Sequence, residues 1–196
     1  MFTGIIRSVS PVVSIRTEGV NTVARIRIPE NWQLDLGQSV AIDGVCSTIT
    51  KKDSDTFEVD WMPETLAKTT AGSLKEGSMV NLERSLTLQD FVDGHLVQGH
   101  VDGRGTVTKI EKDTQEGTVL SVSITGELIP FIAKKGSVAI NGVSLTVTAI
   151  QGSTLSVALI PYTLEHTNLG LLKEGDEVNI EVDMMARYIQ NHANKK

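Results

Sequence analysis

Apolar and polar residues alternate along this chain in short runs, and most runs end at a turn residue. Ser39–Ile42 and Val45–Thr50 flank Asp43-Gly44, while Ser137–Ile140 and Val143–Thr148 flank Asn141-Gly142. Asp-Gly and Asn-Gly favour two-residue hairpins because both central residues must accept a positive φ. Similar runs fall at 56–61 (TFEVDW) and 154–160 (TLSVALI), and at 79–85 (MVNLERS) and 177–183 (EVNIEVD). Others fall at 22–28 (TVARIRI) and 119–125 (VLSVSIT), and at 4–15 (GIIRSVSPVVSI) and 103–112 (GRGTVTKIEK). Proline is well tolerated in a first helical turn, so 63–69 (PETLAKT) and 161–167 (PYTLEHT) predict short helical pieces. The pattern therefore predicts a mainly β protein with about six strands in each half. Regular short strands of this kind suggest closed antiparallel barrels, which leave no exposed edge.

The halves repeat one another. With an offset of 98, residues 39–85 align with 137–183 without a gap and share 22 identities in 47 positions. The two halves are thus two copies of one fold, with the boundary expected in 85–96. The start of the chain should match 97–103, mainly through Gly4 against Gly99. The expected units are 1–95, 96–183 and a terminal helix over 184–196, where Met184, Met185, Tyr188 and Ile189 recur at helical spacing. Such a stripe is either core packing or an oligomerisation face.

Composition narrows the function classes. The formal net charge is −6 over 196 residues, which disfavours a phosphate backbone as the main partner. No apolar run approaches the ~18 residues of a membrane span, and the first residues lack the apolar stretch of a signal peptide. A single cysteine, Cys46, fits a reducing, cytoplasmic setting. With one cysteine and four histidines, and with His95 and His100 five apart in a loop context, a structural metal site is not expected. Neither a P-loop nor a dinucleotide-binding glycine pattern is present. A lone cysteine is more often a small buried hydrophobe than a nucleophile. Paired positions that differ between the halves, such as Cys46/Ser144, Glu64/Tyr162 and Lys68/His166, leave two readings. The duplication either only stabilises the fold or provides two like pockets that treat similar ligands unequally.

The motifs decide between these by resemblance. "MFTGI", "GVC-x-T" and "MPETL" in the first half, "GHLVQGHVDG" at the junction, and "KGSVAINGVSLTV", "LIP-x-TLEHT" and "VNIEVD" in the second closely resemble the trimeric riboflavin synthases. The resemblance runs the length of the chain. It implies two six-stranded Greek-key barrels, a C-terminal trimerisation helix, and dismutation of two 6,7-dimethyl-8-ribityllumazine molecules. A four-carbon unit moves from one to the other, giving riboflavin and 5-amino-6-ribitylamino-uracil, without cofactor or metal. It places the site between the N-terminal barrel of one subunit and the C-terminal barrel of its neighbour in a homotrimer. It also raises lumazine synthase as a protein partner. The alternative within the same fold is a lumazine- or flavin-binding protein without turnover.

Carried onto this chain, the resemblance assigns Gly4, Ile5, Ile6, Cys46, Ser47 and Thr48 to the first pocket. Asp60, Trp61, Met62, Pro63, Glu64 and Thr65 follow, with Gly99, His100 and Val101 from the junction. The second pocket takes Lys135, Ser144, Leu145, Thr146, Ile160, Pro161, Tyr162, Thr163 and Leu164. His100 is the expected acid/base group, since histidines titrate near neutrality. Cys46 is the expected nucleophile or water-polarising group, and Ser39, Glu64, Ser144 and Asp183 are secondary candidates. Ser47 and Trp61 stand where the family usually has leucines, so Ser47 is expected at the pocket wall and Trp61 to stack on a ring. Asn141 stands where the family usually has aspartate, and Asp93 and Gln98 also depart from the usual junction.

Overall fold

The computed structural model describes residues 1–113 and 117–193. The first barrel is built from β1 (Ser8–Glu18), β2 (Asn21–Arg27), β3 (Ser39–Ile42), β4 (Val45–Lys52), β5 (Thr56–Trp61) and β6 (Met79–Arg84). The second is built from β7 (Gly103–Asp113), β8 (Gly117–Ser123), β9 (Ser137–Ile140), β10 (Val143–Gln151), β11 (Thr154–Leu159) and β12 (Glu177–Val182). Each closes antiparallel in the same order, with its first strand between the second and the last. Helices α1 (Pro63–Lys68) and α2 (Pro161–His166) follow the fifth strand of each barrel, and α3 (Met184–Ala193) leaves the second. Residues 194–196, which complete the expected terminal helix, lie outside the described residues.

The sequence pattern explains these elements. Asp43 and Gly44 sit at φ 47° and 78°, and Asn141 and Gly142 at 46° and 77°, the left-handed pair that such hairpins require. Inward positions fill each barrel: Ile26, Ile49, Phe57, Val59 and Leu82 in the first, and Val122, Val147, Leu155, Val157 and Ile180 in the second. Bulges recur at matching places, at Val12/Ser14 with Val107/Lys109 and at Ile49/Lys51 with Val147/Ala149. Equivalent residues are 95 apart on the first strand (Val12, Val107), 96 on the second (Ile26, Val122) and 98 from the third onward (Ile49, Val147). The ungapped repeat thus starts where the spacing becomes constant.

The barrels meet across a local pseudo-two-fold seam at the two hairpin tips. A Cβ on Gly44 would lie 2.7 Å from Gly142 N, and one on Gly142 would lie 2.7 Å from Gly44 N. The seam is polar. Asn81 Nδ2 donates to Asn141 O (2.9 Å), and Asn179 Nδ2 donates to Asp43 O (2.8 Å). Asn168 N donates to Asn81 Oδ1 and Thr70 N to Asn179 Oδ1, both at 2.7 Å. One asymmetry stands inside it. The Asp43 carboxylate, matched by Asn141 in the other half, accepts from Asn81 N and Asn168 Nδ2 at 2.8 Å each. Its complete burial pushes its pKa up to about 7 despite these bonds.

Candidate functional site: two matched clefts

Short straps, exchanged between the barrels, build the clefts. Phe2 and Val97 pair through two backbone hydrogen bonds of 2.7 and 3.0 Å over Ala41 and Ala139. From there the first strap crosses to the second barrel, where Gly4 O accepts from Ser144 N at 2.8 Å. The other crosses to the first barrel, where Gly99 O accepts from Cys46 N at 2.9 Å. Both glycines have positive φ, 75° and 79°, and a Cβ on either would lie 2.6 Å from the Cβ of Ser144 or Cys46. Only glycine allows the strap this close. The Gly4–Gly99 equivalence read from the sequence holds in space.

Each strap is held by a buried carboxylate that the sequence analysis did not single out. Glu83 accepts from Thr3 N and Thr3 Oγ1 at 2.7 Å and from Gly4 N at 3.0 Å. Glu181 accepts from Gln98 N at 2.7 Å and Gly99 N at 3.0 Å. Burial pushes both carboxyls above their usual range, and the strap donors oppose that rise. The signal was present in the repeat, where Glu83 and Glu181 are an identical pair amid apolar strand residues.

The exchange corrects the grouping of Gly4, Ile5 and Ile6 with Cys46. Gly4 lies on Ser144, and Ile5 and Ile6 line a cleft of about 390 Å³ with Tyr162, Glu165 and His166. The Cys46 cleft, about 240 Å³, is lined by Val45, Met62, Glu64, Thr65, Lys68 and the strap Gly99–Val101. The two correspond feature by feature. Cys46 answers to Ser144, Gly99 to Gly4, and α1 to α2. Glu64 and Lys68, ion-paired at 3.0 Å, stand where Tyr162 and His166 stack with ring centroids 4.0 Å apart. Pro63, Pro161 and Thr163 belong to the same two helices. Ile160 and Met62 are exposed at their entries, and Leu164 packs on the second barrel's core.

Strand alternation sorts the other expected residues. Ser47 and Leu145 point into the barrels, because strand alternation places Cys46 with Thr48, and Ser144 with Thr146, on the outer face. Trp61 also points inward and is buried, so it does not stack on a cleft ligand; its Nε1 donates to Ser47 Oγ at 2.8 Å. The Ser47 and Trp61 departures are therefore one coupled change, an indole with a buried hydroxyl to satisfy it. Lys135, Thr48, Thr146, Asp60 and Ser39 line neither cleft. Ser39 pairs with Thr48 at the start of β3, and Asp60 accepts from Thr50 Oγ1. Lys135 holds φ 69° where the first barrel has Gly37 at 81°, a left-handed position that costs a non-glycine residue about 1–2 kcal/mol.

His95 is the residue the sequence analysis passed over. Its Nδ1 lies 2.7 Å from Ser144 Oγ in a hydrogen bond, and its Nε2 is buried without a partner among the described residues. Burial pulls its pKa below the ordinary histidine value, while the charge of Asp183 opposes the drop. Burial therefore favours the uncharged ring. Asp183 also caps α3, accepting from Met185 N. The recurrence of Gly-His at 94–95 and 99–100 was the available clue. No group of three or more His, Cys, Asp or Glu among the described residues is arranged to hold a metal. No described helix is long and apolar enough to cross a membrane. A cavity of about 520 Å³ between Arg7, Trp32, Arg84 and Asp90 contains none of the expected site residues.

The family model described as "Lumazine binding domain" matches residues 3–85 and again 98–183. A riboflavin synthase from Brucella abortus is 42% identical over 96% of this chain and 96% of its own. One from Actinobacillus pleuropneumoniae is 39% identical over 100% of this chain and 91% of its own. The crystal structure of LumP complexed with riboflavin superposes with a TM-score of 0.84 at 25% identity, over 93% of this chain and 99% of that one.

Proposed function

The chain belongs to the lumazine-binding domain family, among its riboflavin synthases, and from that membership we propose how its two clefts share the work. The activity is that of a riboflavin synthase. Two molecules of 6,7-dimethyl-8-ribityllumazine serve as donor and acceptor of a four-carbon unit, yielding riboflavin and 5-amino-6-ribitylamino-uracil. Two equal substrates call for two like clefts, and unequal roles call for a difference between them.

The observation that carries this reading is the unequal furnishing of one repeated frame. The first cleft presents a thiol, an imidazole and the Glu64–Lys68 pair; the second presents the Tyr162–His166 stack, with the His95–Ser144 hydrogen bond beside its Gly4 strap. A lumazine must lose a proton from its 7-methyl group before it attacks its partner. The His95–Ser144 hydrogen bond suits relay of that proton, and His100 beside Cys46 suits its delivery or return. Holding both rings at fixed distance replaces a chance encounter by an ordered one.

The working unit of this proposal is a homotrimer in the cytoplasm, with the first cleft of one subunit apposed to the second cleft of its neighbour. Two features support it. The first cleft, at about 240 Å³, is below the ~300–1,000 Å³ usual for a ligand site, so a second wall is wanted. In α3, Met185, Tyr188 and Ile189 are exposed on one face with nothing among the described residues covering them. Lumazine synthase is the protein partner this reading adds.

Purified protein mixed with the lumazine should generate riboflavin absorbance, and Cys46→Ala and His100→Gln should lower the rate with the fold intact. A protein that binds the lumazine but never converts it would instead be the non-catalytic relative.

A further inference from the structure

The strap over the first cleft is tied down by a residue outside both barrels. Asp102 ends that strap. Its N–H donates to Ile180 O at 2.9 Å, and its carboxylate accepts from Val182 N at 2.9 Å. The same carboxylate takes Arg187 Nη2 on both oxygens, at 2.8 Å to Oδ1 and 2.9 Å to Oδ2. Both partners are substantially shielded, with side chains 15% (Asp102) and 34% (Arg187) exposed. Arg187 belongs to α3, on the side turned away from the exposed Met185, Tyr188 and Ile189.

The second cleft has no such tie. At the equivalent place its strap carries Arg7, whose N–H donates to Leu82 O at 3.1 Å just as Asp102 N–H donates to Ile180 O. Arg7 has no ion-pair partner within 4 Å among the described residues. The pseudo-symmetry of the molecule is therefore broken at this charged contact as well, which joins the terminal helix to the cleft of Cys46 and His100. A helix of ten residues is too short to be stable alone and takes its order from what it packs against.

We propose that Arg187 is a positioning residue for the first cleft: by clamping Asp102 it fixes the strap that carries Gly99 and His100, so the seating of the C-terminal helix sets the geometry beside Cys46. This rests on the functional reading above for its catalytic consequence, but not for its structural one. The clamp acts on one strap and leaves the other, held by Glu83, as an internal reference.

Amide hydrogen exchange on the full-length protein tests it without recourse to activity. In Arg187→Ala, exchange at the amides of Gln98, Gly99 and Asp102 should quicken about tenfold, while Thr3, Gly4 and Arg7 hold their wild-type rates. Arg187→Lys, which keeps the charge, should restore most of the protection. Asp102→Asn, which keeps an acceptor for Val182 N, should reproduce the alanine effect with no further change in the double variant. Acceleration of both straps together, as from a general loss of stability or assembly, overturns the proposal, and so does unchanged exchange in all variants. In turnover, kcat for riboflavin formation should fall about tenfold in Arg187→Ala with KM within twofold. Absence of turnover in the wild type would refute the functional reading and leave the exchange result standing on its own.

Discussion

At the scale of single residues, the two halves of this molecule are told apart by replacements between matched positions: Cys46 for Ser144, Glu64 for Tyr162, Lys68 for His166, Asp43 for Asn141. These pairs were legible because the repeat aligns without a gap. His95 was not, because its partner Ser144 is 49 positions away and nothing local announces the contact. Ser47 and Trp61 misled for a related reason. Each looked like a polar or aromatic addition to a pocket, and only strand alternation with the Trp61–Ser47 hydrogen bond shows that they compensate one another inside the barrel. Asp43 carries a consequence for stability. Its folded pKa, about 7, lies above the ordinary 3.8, so the folded state holds a proton that the unfolded chain has already released. The stabilisation is fully present below about pH 4 and is lost as the pH rises to about 7, at no more than ~1.4 kcal/mol per pH unit. Asp43→Asn should abolish this slope, because an amide oxygen still accepts from Asn81 and Asn168 without a titrating charge. Thermal melts of both proteins between pH 5 and 8 should show the variant gaining on the wild type as pH rises to 7 and then running parallel.

At the scale of elements, the strands and their hairpins follow from period-two patterning and two left-handed turn pairs, both properties of adjacent residues. The straps do not. Gly4 and Gly99 look like ordinary loop glycines, and the exchange that carries each to the opposite barrel depends on Glu83 and Glu181, about 80 residues away from the amides they accept. That is why the first strap was grouped with the wrong cleft while its equivalence to the second was read correctly. The closeness of strap to strand can be measured directly. A methyl group at position 99 would sit 2.6 Å from Cys46 Cβ, whereas one at Gly37, with the similar φ of 81°, meets nothing within 4 Å. Gly37→Ala should therefore cost only the ~1–2 kcal/mol of a left-handed alanine, with turnover near wild type, as Lys135 at the matching place already suggests. Gly99→Ala adds a collision with backbone and should lower kcat at least tenfold by displacing His100, even where its melting temperature matches that of Gly37→Ala.

At the scale of the whole molecule, the seam between the barrels is what makes two copies into one device. Its contacts are directional hydrogen bonds from the amides of Asn81, Asn168 and Asn179, accepted in part by Asn141 O and Asp43 O, so the barrels have a defined mutual orientation where an apolar seam would tolerate sliding. A fixed orientation also fixes where each cleft opens. If a working site pairs the first cleft of one subunit with the second cleft of its neighbour, the two halves of a site can come from different chains. A Cys46→Ala chain has a damaged first cleft and an intact second; a Ser144→Ala chain has the reverse. Each alone should form riboflavin slowly. Co-expressed in equal amounts and assembled at random in a cyclic trimer, roughly a quarter of the junctions join two intact clefts, so about a quarter of the wild-type rate should return. Mixing preformed oligomers without exchange should return none of it. If each site were built within one chain, every site in the mixture would still contain a damaged cleft, and no mixing protocol would raise the rate above the mean of the two variants.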